Sequence, residues 1–124
     1  MIKIKNYING KLSEPSDKKY LDVFNPSNGK IYAQCPNSSK IDLDAAIQSS
    51  EKSFSAWSRL DQSDRSEFLF QIADLIEKNL NEFAKAESID NGKPYKLSRS
   101  LDIPRSVKNL RFFASMANSL EAES

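Results

Sequence analysis

The chain has 124 residues, of which 39% are hydrophobic and 28% charged, and its eighteen basic and seventeen acidic side chains leave a formal net charge of +1. That balance is the soluble globular average, and with no basic block longer than Lys18-Lys19 it excludes charge-driven capture of nucleic acid or anionic lipid. One cysteine, Cys35, and no histidine exclude an internal disulfide, a Cys/His metal cluster and any Cys/His or Ser/His/Asp catalytic pair within these residues.

The length suits one domain able to bury roughly two thirds of its unfolded surface. Met1 leads into Ile2-Lys3-Ile4-Lys5, with no apolar run long enough for a signal peptide or a membrane span, so the expected compartment is the cytosol. The first forty residues alternate turn formers with short β-leaning runs at Tyr7-Ile8, Tyr20 to Phe24 and Lys30 to Cys35. Asn9-Gly10 tolerates positive φ at both positions and predicts a hairpin joining Tyr7-Ile8 to Lys11-Leu12. Asn25-Pro26-Ser27-Asn28-Gly29 predicts the turn of a second, since Pro26 fixes φ and Gly29 supplies left-handed freedom.

From Ser38 the apolar period lengthens. Leu43, Ile47, Phe54 and Trp57 share one face of a helix capped by Ser38 or Ser39, with Asp42 and Asp44 suited to its positive end. A second helix is predicted from about Ser63 to Lys78, with Phe68, Ile72, Leu75 and Ile76 in its stripe. Asn79 and Glu82 have capping-box spacing and predict a third helix carrying Leu80, Phe83 and Ala84 to Ile89, stopped by Gly92 and Pro94. A fourth carries Val107, Leu110, Phe113, Ala114, Ala117 and Leu120, with Pro104 in its first turn or kinking it.

Few side chains are equipped for chemistry. Cys35 has Gln34 and Pro36 beside it, neither able to lower a thiol pKa, and reads as a small apolar strand residue. Glu67, Asp74, Glu77, Glu82 and Glu87 alternate with lysine and arginine as a solvated helix face does, with i,i+4 support. Trp57 and Phe112-Phe113 read as core by their helical spacing, although Phe68, Phe70, Phe112 and Phe113 exceed what a small bundle needs and imply surface covered by further protein. Gly10, Gly29 and Gly92 build neither GxGxxG nor GxxxxGK[ST]. Asp90-Asn91-Gly92-Lys93-Pro94 reads as a helix carboxy-terminal cap, with Asp90 also able to coordinate a cation or brace a loop.

Taken in order, several segments resemble the amino-terminal region of the aldehyde dehydrogenase superfamily. They are Tyr7 to Lys11, Val23 to Ile31, Phe54-Ser55-Ala56-Trp57, Arg65, Ile72 to Glu77, Glu87 to Pro94 and Leu110 to Ala114. Each is weak alone, but their collinear order covers practically the whole chain. Asp102 to Val107 and Arg111 to Ser115 resemble the 2-aminomuconate-semialdehyde dehydrogenase branch, which includes proteins also described as retinal dehydrogenases.

The resemblance implies an α/β fold. Residues 1–124 would form two amino-terminal β-hairpins and about four α-helices, an outer part of a Rossmann-like dinucleotide-binding domain without the catalytic and oligomerisation domains. It implies NAD(P)-dependent oxidation of an aldehyde, NAD being the expected cofactor, by a homo-oligomeric full-length enzyme. The dinucleotide-binding residues, the general-base glutamate and the nucleophilic cysteine of the family have no counterpart here, so the chain alone is expected to be inactive. It also implies a monovalent cation site, which carries over to a backbone carbonyl of Val23 or Phe24 and to Asp90. The alternative is a non-catalytic helical interaction module that binds full-length subunits through the face carrying Phe112 and Phe113.

Overall fold

The computed structural model describes residues 1–119 and divides into two compact units, Met1–Arg59 and a second beginning at Leu60. The first unit holds the strands. β2 (Asn6–Ile8) and β3 (Lys11–Ser13) pair antiparallel with Ile8 opposite Lys11, leaving Asn9 and Gly10 as a two-residue turn at φ 52° and 72°. Both positive angles are those of the hairpin turn that matches strand twist, and asparagine followed by glycine is the pair that adopts it most easily.

β4 (Tyr20–Asn25) and β5 (Lys30–Pro36) form the second predicted hairpin. Its turn is closed by Asn25, whose carbonyl accepts from the amides of Asn28 (3.2 Å) and Gly29 (2.8 Å) and whose side chain accepts from the Ser27 amide (3.0 Å). The register slips between Val23, opposite Ala33, and Phe24, opposite Ile31, so Tyr32 is the extra residue of a bulge.

One strand went unpredicted. β1 (Ile2–Lys3) pairs parallel with β5, Ile2 opposite Ala33, and makes a three-stranded sheet ordered β1-β5-β4 with fully buried Ala33 on the central strand. Two residues are too short to show a period, and a partner far along the chain leaves no local signal. Lys3 adds a side-chain contact, its ammonium lying 4.7 Å from the centre of the Tyr20 ring.

Helix α1 (Lys40–Trp57) completes this unit, with Ser39 at its N-cap in extended conformation. The Ser39 amide donates to Asp42 Oδ2 at 2.9 Å, and Asp42 also accepts from the Ser16 amide (2.9 Å) and hydroxyl (3.2 Å). Asp42 is the buried residue of α1, while Leu43, Ile47, Phe54 and Trp57, the stripe expected to be core, are exposed. Periodicity identified which residues share a face; it did not identify what that face meets.

The second unit is helical. α2 (Gln62–Lys78), α3 (Leu80–Asn91), a short turn α4 (Tyr95–Leu97), a π-helical segment Ser98–Asp102 and α5 (Ile103–Ser119) follow in order. α2 and α5 pack through small residues: Ser66, Ala73 and Ala114 are buried, and Ser66 Oγ donates to the Ala114 carbonyl at 2.7 Å. Small side chains let two backbones approach closely enough for such a bond. Phe68, Ile72 and Leu75 of the predicted α2 stripe are exposed, as are Phe112 and Phe113, contrary to the expectation of a core role. Leu120, the last position of the predicted fourth stripe, lies outside the described residues.

Two local expectations are revised here. Asn79 makes no side-chain cap to α3; its amide nitrogen donates backward to the Leu75 carbonyl at 2.8 Å, closing α2. Pro104 is the second residue of α5, and the turn before it widens so that the Ile103 amide bonds the Ser98 carbonyl five residues back. Pro104 has no N–H, and its ring would crowd the carbonyl of Ser100 in a regular helix; the wider turn relieves that conflict. The Ser98 hydroxyl is fully buried in this segment, with no hydrogen-bond partner among the described residues.

Candidate functional site

The carbonyls of Val23 and Phe24 belong to β4, which is an edge strand of the described sheet. Successive residues of an antiparallel strand alternately face toward and away from their partner, so one of these two carbonyls faces the open edge, beside the bulge. A hard monovalent cation takes oxygen ligands of this kind. Asp90 lies exposed in the last turn of α3, just before the left-handed Gly92 at φ 77°. Val23 and Phe24 fall in the first unit and Asp90 in the second.

The segment around Asp90 is the capped helix end expected of it. The Gly92 amide donates to the Ser88 carbonyl (3.1 Å), the Ser88 hydroxyl to the Lys93 carbonyl (2.6 Å) and the Lys93 amide to Asn91 Oδ1 (2.8 Å). Lys93 also pairs with Asp102 at 2.7 Å across α4 and the π-helical segment, a contact without a sequence signal.

Cys35 is half-buried on β5 opposite Leu21, as the strand reading expects. Of the acidic residues, Glu67 accepts from Gln71 and Glu87 from Asn91, each four residues on, while Asp74 (2.7 Å) and Glu77 (2.6 Å) both accept from Arg111 of α5. That second pair links two helices where support within one helix was expected. It holds the Arg111 guanidinium pKa above its ordinary value through the hydrogen bonds that Arg111 donates to Glu77 and Asp74.

In the first unit an open groove of about 630 Å³ runs beside β2 and the start of α1, lined by Asn6, Tyr7, Ile8, Ser38, Leu43 and Ala46 among others. Asn6 and Ser38 bond each other across it (2.8 Å), and Asp42, which also lines it, is already engaged by Ser16 and Ser39. Those backbone bonds from Ser39 and Ser16 hold the Asp42 carboxyl below its ordinary pKa despite burial, which suits an anchor. Burial and the nearby Glu14 raise the Tyr20 phenol pKa, and its hydroxyl has no hydrogen-bond partner among the described residues. Asp42 is the residue sequence reasoning undervalued; its position three after Ser39 was the available signal.

All three glycines sit in turns at positive φ, and none opens a phosphate-binding loop. Among the described residues no helix is long and apolar enough to cross a membrane.

The aldehyde dehydrogenase family model matches residues 13–124. The chain belongs to that family. This aldehyde dehydrogenase chain is 45% identical over 115 residues to 2-aminomuconic semialdehyde dehydrogenase from Homo sapiens, covering 93% of the chain and 23% of the relative. It is 39% identical over 109 residues to acetaldehyde dehydrogenase 2 from Cupriavidus necator, covering 88% and 22%. Among solved structures, the NAD+ complex of aldehyde dehydrogenase from Bacillus cereus matches with a TM-score of 0.91 at 30% identity, covering 96% of this chain and 25% of that one. PnpE from Pseudomonas sp. WBC-3 matches with a TM-score of 0.92 at 32% identity, covering 97% and 25%. The chain thus spans about a quarter of the length of the proteins it matches. The mixed fold of short strands followed by several helices is the one the resemblance implied.

Proposed function

We propose that these residues are the outer, amino-terminal part of a Rossmann-like dinucleotide-binding domain in a cytosolic, homo-oligomeric NAD(P)-dependent aldehyde dehydrogenase whose substrate is a semialdehyde of the 2-aminomuconate type. The reaction class takes an aldehyde, water and an oxidised nicotinamide cofactor to a carboxylic acid, the reduced cofactor and a proton, with the reacting groups outside these residues. In this reading the segment's part is structural: it presents apolar helix faces to the remainder of the domain, with a β4 carbonyl and, separately, Asp90 each available as a ligand for a monovalent cation. The observation that carries the proposal is the 45% identity to a 2-aminomuconic semialdehyde dehydrogenase along 93% of the chain.

The test is a chimera in which this chain replaces the matching segment of that human relative, assayed by reduction of NAD+ with 2-aminomuconate semialdehyde. The chimera is expected to turn over, to keep its rate when Cys35→Ser is introduced, and to run at the subunit number of the parent, whereas the 124-residue chain alone reduces no cofactor. A folded but inactive chimera, or turnover by the chain alone that Cys35→Ser abolishes, would overturn the proposal.

Exposure of Phe112 and Phe113 favours a second reading, a non-catalytic module that docks on full-length subunits. Stable co-purification of the separate chain with an intact enzyme, lost in Phe113→Ser, would favour it over the first.

A further inference from the structure

Each of the three glycines follows an asparagine and precedes a lysine: Asn9-Gly10-Lys11, Asn28-Gly29-Lys30 and Asn91-Gly92-Lys93. Asparagine before glycine is the pair most open to intramolecular attack on its own side chain, because glycine has no Cβ to keep its amide nitrogen away from the asparagine Cγ. The fold treats the three pairs differently. The Gly29 amide is tied to the Asn25 carbonyl at 2.8 Å, and Asn28 Oδ1 accepts from the Lys30 amide at 3.0 Å. The Gly92 amide is tied to the Ser88 carbonyl at 3.1 Å, while the Asn91 side chain is held at both ends, by the Lys93 amide (2.8 Å) and by Glu87 (2.6 Å). Among the described residues no hydrogen bond holds the Gly10 amide or the Asn9 side chain. Both residues are exposed, and nothing lies within 4 Å of the position a Gly10 Cβ would occupy.

We propose that Asn9-Gly10 is a site of spontaneous deamidation in the folded protein, selected over the other two pairs by its unbonded turn. The Gly10 nitrogen bonds to Asn9 Cγ, the Cγ–Nδ2 bond breaks, and the amide leaves as ammonia with the Gly10 proton. The resulting succinimide takes up one water and opens at either carbonyl, to aspartate or to isoaspartate. The native turn is not itself the attacking geometry, so the tip must open first. A two-stranded hairpin with exposed Tyr7 and Leu12 opens at low cost. Either product takes the formal net charge from +1 to zero. The isoaspartyl product also lengthens the main chain inside a two-residue turn and so disturbs the pairing of Ile8 with Lys11.

The experiment incubates the purified protein, folded and in concentrated urea, at mildly alkaline pH. Peptides carrying the three asparagines are then resolved by chromatography and mass spectrometry into amide, aspartyl and isoaspartyl forms. In the folded protein Asn9 is expected to convert several-fold faster than Asn28 and Asn91, and in urea the three rates should draw together. The proposal is overturned if Asn28 or Asn91 keeps pace with Asn9 in the folded protein, or if Asn9 stays intact there while its unfolded counterpart converts. Aldehyde oxidation does not enter the readout, so this inference and the functional proposal fail or stand separately.

Discussion

Asp42 shows how one carboxylate can fasten a loop to a helix. Its oxygens accept from Ser39 three residues earlier and from Ser16 in the loop that follows β3, so both acceptor sites are used. Because its folded pKa lies below the unfolded one, it contributes stability that is present above the unfolded value and is lost as pH falls through the folded value. Asp42→Asn, which keeps a single acceptor oxygen, is expected to lower the thermal midpoint by several degrees at neutral pH. It should also flatten the loss of stability on the acid side, below the ordinary carboxylate range. Equal midpoints across a pH series in calorimetry would contradict the anchoring role. Half of this arrangement was legible beforehand: Ser39 and Asp42 stand at capping-box spacing, while Ser16 lies too far away in sequence to suggest itself. Asn79 and Glu82 carry the same spacing and do not use it, since the Asn79 side chain finds the Leu75 carbonyl of the preceding helix first. A cap pattern thus marks a helix boundary without saying which helix it serves.

The strand and helix order followed from period and turn chemistry because hairpins and amphipathic helices are local. The packing between helices did not, because here the buried contacts belong to small residues that no hydrophobic pattern singles out. Ser66 and Ala114 meet across α2 and α5, and Ala73 is fully buried on the same helix as Ser66. Ser66→Ala should remove the bond to the Ala114 carbonyl and cost about 1 kcal/mol in urea unfolding. Ala73→Leu adds volume where there is none to spare and should cost about 1–3 kcal/mol by the same measurement. If Ala73→Leu were neutral, the two helices could not be as close as the buried alanine requires. The π-helical segment was equally invisible: Pro104 predicted a disturbance, and only its position after Ser98–Asp102 shows that the backbone answers by widening a turn in place of kinking.

At the scale of the whole molecule the large apolar side chains are the unusual feature. Phe112 is 58% exposed and Phe113 63%, Phe54 on α1 and Leu75 on α2 are comparably open, and in most monomeric proteins such residues would be covered. The chain studied alone should therefore self-associate, with a thermal midpoint that depends on protein concentration. Phe112→Ser with Phe113→Ser should reduce that dependence in sedimentation and dilution series while leaving the dilute midpoint nearly unchanged. The sequence pointed to the excess of aromatics, and physical reasoning from it led to missing partners; it assigned the particular residues to the interior because a stripe looks the same whichever molecule buries it. The β4 carbonyl became a candidate cation ligand only through family resemblance, since a backbone carbonyl leaves no trace in residue type, whereas Asp90 was open to that role as a carboxylate at a helix end. The parallel pairing of β1 with β5 has a consequence for how the first unit assembles. Each hairpin can close on its own in roughly 1–10 μs, whereas β1 pairs with a partner far along the chain, Ile2 with Ala33, so it is expected to join the sheet after the local hairpins have closed. Residues that stand early in the sequence would then be the late arrivals of this sheet, closing one side of a hairpin that had formed without them.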